Sequence, residues 1–198
     1  MNKKIGTRSA VINICAVAGF ALCMLLGFTF GAYLSSMFIA FSFVPMICAI
    51  AERGKPETKV SGYTAMIFAG VYAAFILIVY FAQVTTVRLE SLTEQARVLL
   101  DYSAFGLFFN LNLLGYGLMA LATFFAGITI TVKTKADKAL KYLLMIHGIF
   151  AVSGLIVPLL GVFLTMQGAD WVGTLLLAFW CAYFIPVGVL AFAYLKRT

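Results

Sequence analysis

Residues 61–84 read SGYTAMIFAGVYAAFILIVYFAQV, an unbroken stretch without a charged side chain. At 1.5 Å per residue a helix of this length reaches about 36 Å, enough to cross the ~30 Å hydrocarbon core of a bilayer. Its apolar residues occur on every side rather than at alternate positions. That pattern excludes a strand of a membrane barrel and leaves a membrane-spanning helix.

Outward from this stretch, five more of the same kind occupy residues 11–30, 32–51, 105–130, 142–164 and 171–195. Of 198 residues, 64% are hydrophobic and only 11% charged, where a soluble domain carries about a quarter. The prediction is an all-α polytopic membrane protein, a single domain over residues 1–198, with six transmembrane helices plus an external amphipathic helix at 88–103. The opening MNKKIGTRSA resembles the start of a signal peptide, but the apolar run after it is too long and ends in no small-x-small cleavage site. The first helix is therefore read as retained. Cys15, Cys23, Cys48 and Cys181 all fall within spans and have neither disulfide-framework nor zinc spacing.

All fourteen Lys and Arg residues except Arg88 and Arg97 fall before the first span, after the second, after the fourth or after the sixth. This bias places both termini in the cytoplasm and the chain in the cytoplasmic (cell inner) membrane. It also accounts for the net charge of +7, so no nucleic acid partner is expected; the partner is the lipid bilayer.

The external segment reads RLESLTEQARVLLDYS. On a helical wheel Leu89, Leu92, Ala96, Leu99 and Leu100 gather on one face, with Glu90, Glu94, Arg97 and Asp101 on another. Such a helix lies flat at the outer surface, as a connector or as a lid over a pocket.

Every carboxylate (Glu52, Glu57, Glu90, Glu94, Asp101, Asp137, Asp170) falls in a loop or at a helix end, and no Lys or Arg lies mid-span. Pumps keep ionisable groups at membrane depth, so an ion-coupled pump is disfavoured. The single histidine, His147, has no second axial ligand for haem and no Cys, Asp or Glu at metal-binding spacing. It is expected to make a hydrogen bond between helices, and no metal or cofactor is expected. AVSG at 151–154 has the small-x-Ser-Gly form of intramembrane serine proteases, but that chemistry needs its base on another helix. The chain is read as not an enzyme.

Polar residues remain in the outer half. In FFNLNLLGYG, residues 108–117, Asn112 shares a face with Tyr116, Thr123 and Gly127, whereas Asn110 points nearly opposite, among Leu114, Leu121 and Phe125. Tyr33, Ser35 and Ser36 open the second span and Tyr80 and Gln83 close the third, at the same depth as Asn110, Asn112 and Tyr116. Convergence of Tyr33, Ser36, Tyr80, Gln83, Asn110, Asn112 and Tyr116 would make an outward-facing, uncharged pocket for a small neutral or amphiphilic ligand. Small residues at four-residue spacing (Cys15, Gly19, Cys23 and Gly27; Ala65, Ala69 and Ala73 beside Gly70) serve either packing within the bundle or docking of a membrane protein partner.

The run QVTTVR at 83–88, the amphipathic stretch and LLGYGLMALATFFAG at 113–127 resemble a group of small bacterial six-helix membrane proteins known as a domain of unknown function. The resemblance implies a bacterial inner-membrane protein and assigns no site residue. In size, helix number, termini and outer pocket the chain is also similar to the substrate-binding subunits of energy-coupling-factor vitamin transporters. It differs from them in the short connection near residues 30–33 and in the first helix, where Cys15, Gly19 and Cys23 stand in place of an alanine ridge. The functional expectation is a non-enzymatic protein that binds or translocates such a ligand; the alternative is an accessory or scaffolding subunit with no ligand of its own.

Overall fold

The computed structural model describes residues 2–89, 91–165 and 170–197, and side chains within them except those of 164, 165 and 170. Glu90 and the Asp170 side chain, counted among the carboxylates above, lie outside the described residues. The helices longer than one turn are α1 (Asn2–Leu25), α2 (Thr29–Ala51), α3 (Lys59–Val84), the short α4 (Glu94–Leu100), α5 (Leu107–Thr129), α6 (Lys135–His147), α7 (Ile149–Leu159) and α8 (Asp170–Lys196), with single helical turns at Thr86–Leu89 and Val162–Thr165. With α6 and α7 taken as one stretch, six segments are long and apolar enough to cross a membrane. The chain is a multi-pass, all-α membrane protein, as its sequence predicts.

Two boundaries move. α1 begins at Asn2, well before residue 11, because its basic first turns continue the same helix. The fifth crossing begins at Lys135 rather than at 142, where Thr134 and Asp137 form a capping box. The Asp137 N–H reaches Thr134 Oγ1 at 3.2 Å, and the Thr134 N–H reaches Asp137 Oδ2 at 2.9 Å.

α1 packs on α2 and α8, α2 on α3, α3 on α5, and α5 on α6 and α7; contact between α6 and α8 closes the ring. Lipid offers no hydrophobic drive for helix association, so close approach of backbones through small residues does the work. A Cβ at Gly6 would stand 2.5 Å from that of Ala49, and one at Gly188 2.7 Å from Ile14. The Phe43 ring meets Tyr72 at 5.2 Å and Phe184 at 6.3 Å at the centre of the bundle.

Of the small-residue ridges, the alanines of α3 pack internally, whereas Cys15 on α1 is exposed. Ala65, Ala69 and Ala73 are buried, and Gly19 faces Ser35 of α2. Gly27 lies beyond the end of α1, with a φ of +69° in the turn between α1 and α2, a conformation suited to glycine. Gly70 is exposed on α3 with no atom within 4 Å of the position a Cβ would take.

Both termini lie at one end of the bundle, hereafter the terminal end. There the Arg53 guanidinium donates to the carbonyls of Tyr194 and Leu195, each at 2.7 Å, capping the C-terminus of α8. Arg197 pairs with Asp137 and donates to Thr134 Oγ1 at 2.5 Å.

At the distal end the amphipathic helix is shorter than the sequence suggests. Residues 91–93 are not helical, and Thr93 caps α4 by accepting from the Ala96 N–H at 3.3 Å. Leu92, Ala96 and Leu100 are half-buried, whereas Leu89 and Leu99 are exposed. The apolar face is thus one narrow stripe. After α4, Asp101 caps a single 3-10 turn (Tyr102–Ala104), and Phe105 takes a left-handed conformation at φ 53°.

Candidate functional site in the distal half

Helical spacing sets up the site. Tyr33 and Ser36 lie one turn apart on α2, Tyr72 and Tyr80 two turns apart on α3, and Asn112 and Tyr116 one turn apart on α5. The rings converge: Tyr33 lies 5.4 Å from Tyr80, and Tyr72 lies 5.8 Å from Tyr116. Ser36 and Tyr80 are buried. Ser36 itself donates to the Ala32 carbonyl at 3.1 Å.

Tyr102, from the distal segment, caps this cluster. Its ring sits 6.1 Å from both Tyr33 and Tyr80 and 5.0 Å from Phe109. Desolvation, reinforced by Tyr80 and Tyr33, pushes its hydroxyl well above the usual tyrosine range, so it stays a neutral hydrogen-bonding group. Gln83 fastens the segment in place. It accepts from the Tyr102 N–H at 3.0 Å and donates to the Leu100 carbonyl at 2.7 Å.

Of the residues expected to line a pocket, Tyr33 packs on Tyr80 and Tyr116 on Tyr72, Ser36 and Asn112 are buried on the same helices, and Gln83 holds the distal segment. Asn110 does not join them; it is exposed on the opposite face of α5. On its distal side the cluster is covered by Tyr102, which packs against Tyr33 and Tyr80. Asn112 is buried with Oδ1 lacking a partner, as is the Tyr72 hydroxyl.

The sequence reading missed Tyr72, Tyr102, Trp180 and Asn13. Tyr72 could have been found, because Tyr72, Ile76 and Tyr80 form a four-residue-spaced stripe whose members are all buried. Asn13, buried on α1, donates to Ser42 Oγ at 3.0 Å and to the Ile39 carbonyl at 3.2 Å, tying α1 to α2.

In comparisons with protein-family models, curated proteins and solved structures, nothing matches this chain.

Below the tyrosines, the Tyr116 ring meets Trp180 of α8 at 5.6 Å, and the Trp180 indole N–H donates to His147 Nε2 at 3.1 Å. With Nε2 accepting, the ring proton sits on Nδ1, which lies 2.8 Å from Thr123 Oγ1; Thr123 in turn donates to the Ala120 carbonyl at 2.8 Å. Every polar atom of this buried relay is bonded. His147 is the interhelical bridge its sequence context predicts, linking α5, α6 and α8. Ser153 is exposed on α7 and donates to the Phe150 carbonyl at 3.1 Å, apart from His147.

Proposed function

We propose that the chain binds a small neutral or amphiphilic ligand at the tyrosine cluster, non-enzymatically, and that the segment around Tyr102 is the cover over it. The basic residues at the terminal end support an orientation with both termini in the cytoplasm of a cell whose plasma membrane holds the protein, so the cover faces outward. Translocation is the fuller form of the same reading.

The observation that carries this proposal is that two buried polar atoms, Asn112 Oδ1 and the Tyr72 hydroxyl, have no partner among the described residues; a third such atom, Asn13 Oδ1, lies on α1. An unmet buried polar group costs about 1–3 kcal/mol, and a ligand N–H or O–H would meet it. The spans contribute no carboxylate, Lys or Arg to the cluster, which favours an uncharged ligand. The accessory-subunit reading is favoured by a different observation: the rings of Tyr33, Tyr80 and Tyr102 pack on one another, and Ser36 is already bonded to the Ala32 carbonyl.

Native mass spectrometry of protein extracted gently from its own membrane separates the two. A reproducible small-molecule adduct, lost in Asn112→Leu while the fold is kept, supports the ligand reading. A co-purifying protein with no adduct supports the subunit reading, and an adduct retained in Asn112→Leu removes Asn112 from the site.

A further inference from the structure

At the terminal end, opposite the tyrosine cluster, a cleft of about 630 Å³ opens between the start of α1, the connection after α2, residues 131–137 and the end of α8. Lys3, Arg53, Lys133 and Arg197 line it, with Thr131 and Tyr194. A second cleft of about 340 Å³ shares Thr131 and adds Lys55 and Lys141. The carboxylates of the larger cleft, Glu52 and Asp137, are already engaged. Glu52 accepts from Asn2 Nδ2 at 2.8 Å; Asp137 takes the Lys133 and Thr134 N–H groups at 3.0 and 2.9 Å and pairs with Arg197.

The remaining cations have no ion-pair partner among the described residues. Arg53 rests on two carbonyls and lies 5.6 Å above the Tyr194 ring, with no carboxylate partner among those residues, so its guanidinium is held in a fixed direction. Lys3 and Lys133 are exposed and form no ion pair among the described residues. A rigid guanidinium, two mobile ammonium groups and the Thr131 and Tyr194 hydroxyls suit an anion with several oxygens pointing in different directions. Phosphate has that form, and a phosphate at this depth is supplied by lipid headgroups or by a soluble phosphate compound.

We infer that this cleft binds a phosphate group, held by Arg53, Lys3 and Lys133. The test uses the full chain in detergent, titrated with phosphatidylglycerol or with diacylglycerol, which lacks the phosphate, and followed by native mass spectrometry, with inorganic phosphate as competitor. Phosphatidylglycerol is expected to bind in preference to diacylglycerol. The double variant Lys3→Gln/Lys133→Gln, which alters only exposed side chains, is expected to weaken that binding roughly tenfold or more, at about 1 kcal/mol per cation. Lys4→Gln/Lys59→Gln removes the same charge outside the cleft and is expected to leave binding unchanged. Displacement of the lipid by inorganic phosphate, together with direct phosphate binding, identifies a free phosphate as a competent ligand; failure to displace it identifies the lipid headgroup as the source. Equal binding of the two lipids, or equal losses in the two double variants, overturns the inference.

Discussion

Trp180 on α8 donates its indole N–H to Nε2 of His147 on α6 at 3.1 Å, and that bond fixes which histidine nitrogen carries the proton. Nδ1 then donates to Thr123 on α5, so a neutral imidazole joins three helices about 18 Å into the fifth crossing, counting 1.5 Å per residue from Lys135. The relay lies at a depth where water does not replace a lost partner.

Replacing His147 with Phe keeps the ring stacking but strands the Trp180 N–H. The expected loss is about 1–3 kcal/mol, read as a lower midpoint in denaturant unfolding of the purified protein. Combining it with Thr123→Val should cost less than the sum of the two, because both remove members of one relay. Strict additivity would mean that Thr123 and His147 do not act together.

Asn112 and Asn110 should respond oppositely in binding and similarly in fold. In a ligand-free preparation Asn112→Leu removes a buried, unpartnered oxygen and is expected to be neutral or to stabilise the protein by up to about 1–2 kcal/mol. Asn110→Leu changes an exposed amide and is expected to leave ligand retention untouched. A marked destabilisation by Asn112→Leu would show that its amide is bonded in the native state.

The spans were legible because an apolar run of about 20 residues has few other solutions in a membrane protein. The start of α6 was obscured because Lys138 and Lys141 interrupt the hydropathy, although the Thr134-to-Asp137 capping signal was present. Depth along the helices brought Tyr33, Ser36, Tyr80 and Tyr116 together correctly. Depth alone could not include Tyr102, whose place depends on Gln83 gripping a loop backbone, and it wrongly admitted Asn110, which about 200° of helical rotation separates from Asn112. The external helix was drawn too long because Leu89 and Leu99 completed an apolar wheel, whereas the Thr93 cap starts the helix afresh.

Gln83 makes a prediction about the cover. Gln83→Leu deletes the bonds to the Leu100 carbonyl and the Tyr102 N–H, worth about 1–3 kcal/mol together. Amide exchange across residues 94–104 should accelerate tenfold or more, and trypsin should cut sooner after Arg97, while exchange in α2 and α3 stays slow. Unchanged exchange in the segment would mean that ring packing around Tyr102 holds it without Gln83.

Two glycines test which small residues pack and which are free. A Cβ at Gly154 would come 2.8 Å from the Leu113 carbonyl and 3.0 Å from Gly117 Cα, backbone atoms that cannot rotate away. Gly154→Ala should therefore separate α7 from α5 at a cost of about 1–3 kcal/mol. Gly70→Ala meets nothing and should stay within about 0.5 kcal/mol in purified protein. If Gly70→Ala instead loses stability only in its native membrane, the exposed face of α3 has a partner there.

Arg53 separates charge from geometry at the terminal end. Its planar fork reaches the carbonyls of both Tyr194 and Leu195, groups that the end of a helix otherwise leaves without partners. Lysine at this position keeps the positive charge near the C-terminus of α8, but its single ammonium cannot reproduce the paired, fixed donors. Arg53→Lys is therefore expected to fray the last turn of α8, raising amide exchange over residues 190–197 several-fold, and Arg53→Ala to raise it further. If the lysine variant exchanges like the parent while the alanine variant does not, attraction to the helix dipole suffices and the fork adds nothing. If all three exchange alike, the end of α8 is held by the Arg197–Asp137 pair rather than by Arg53.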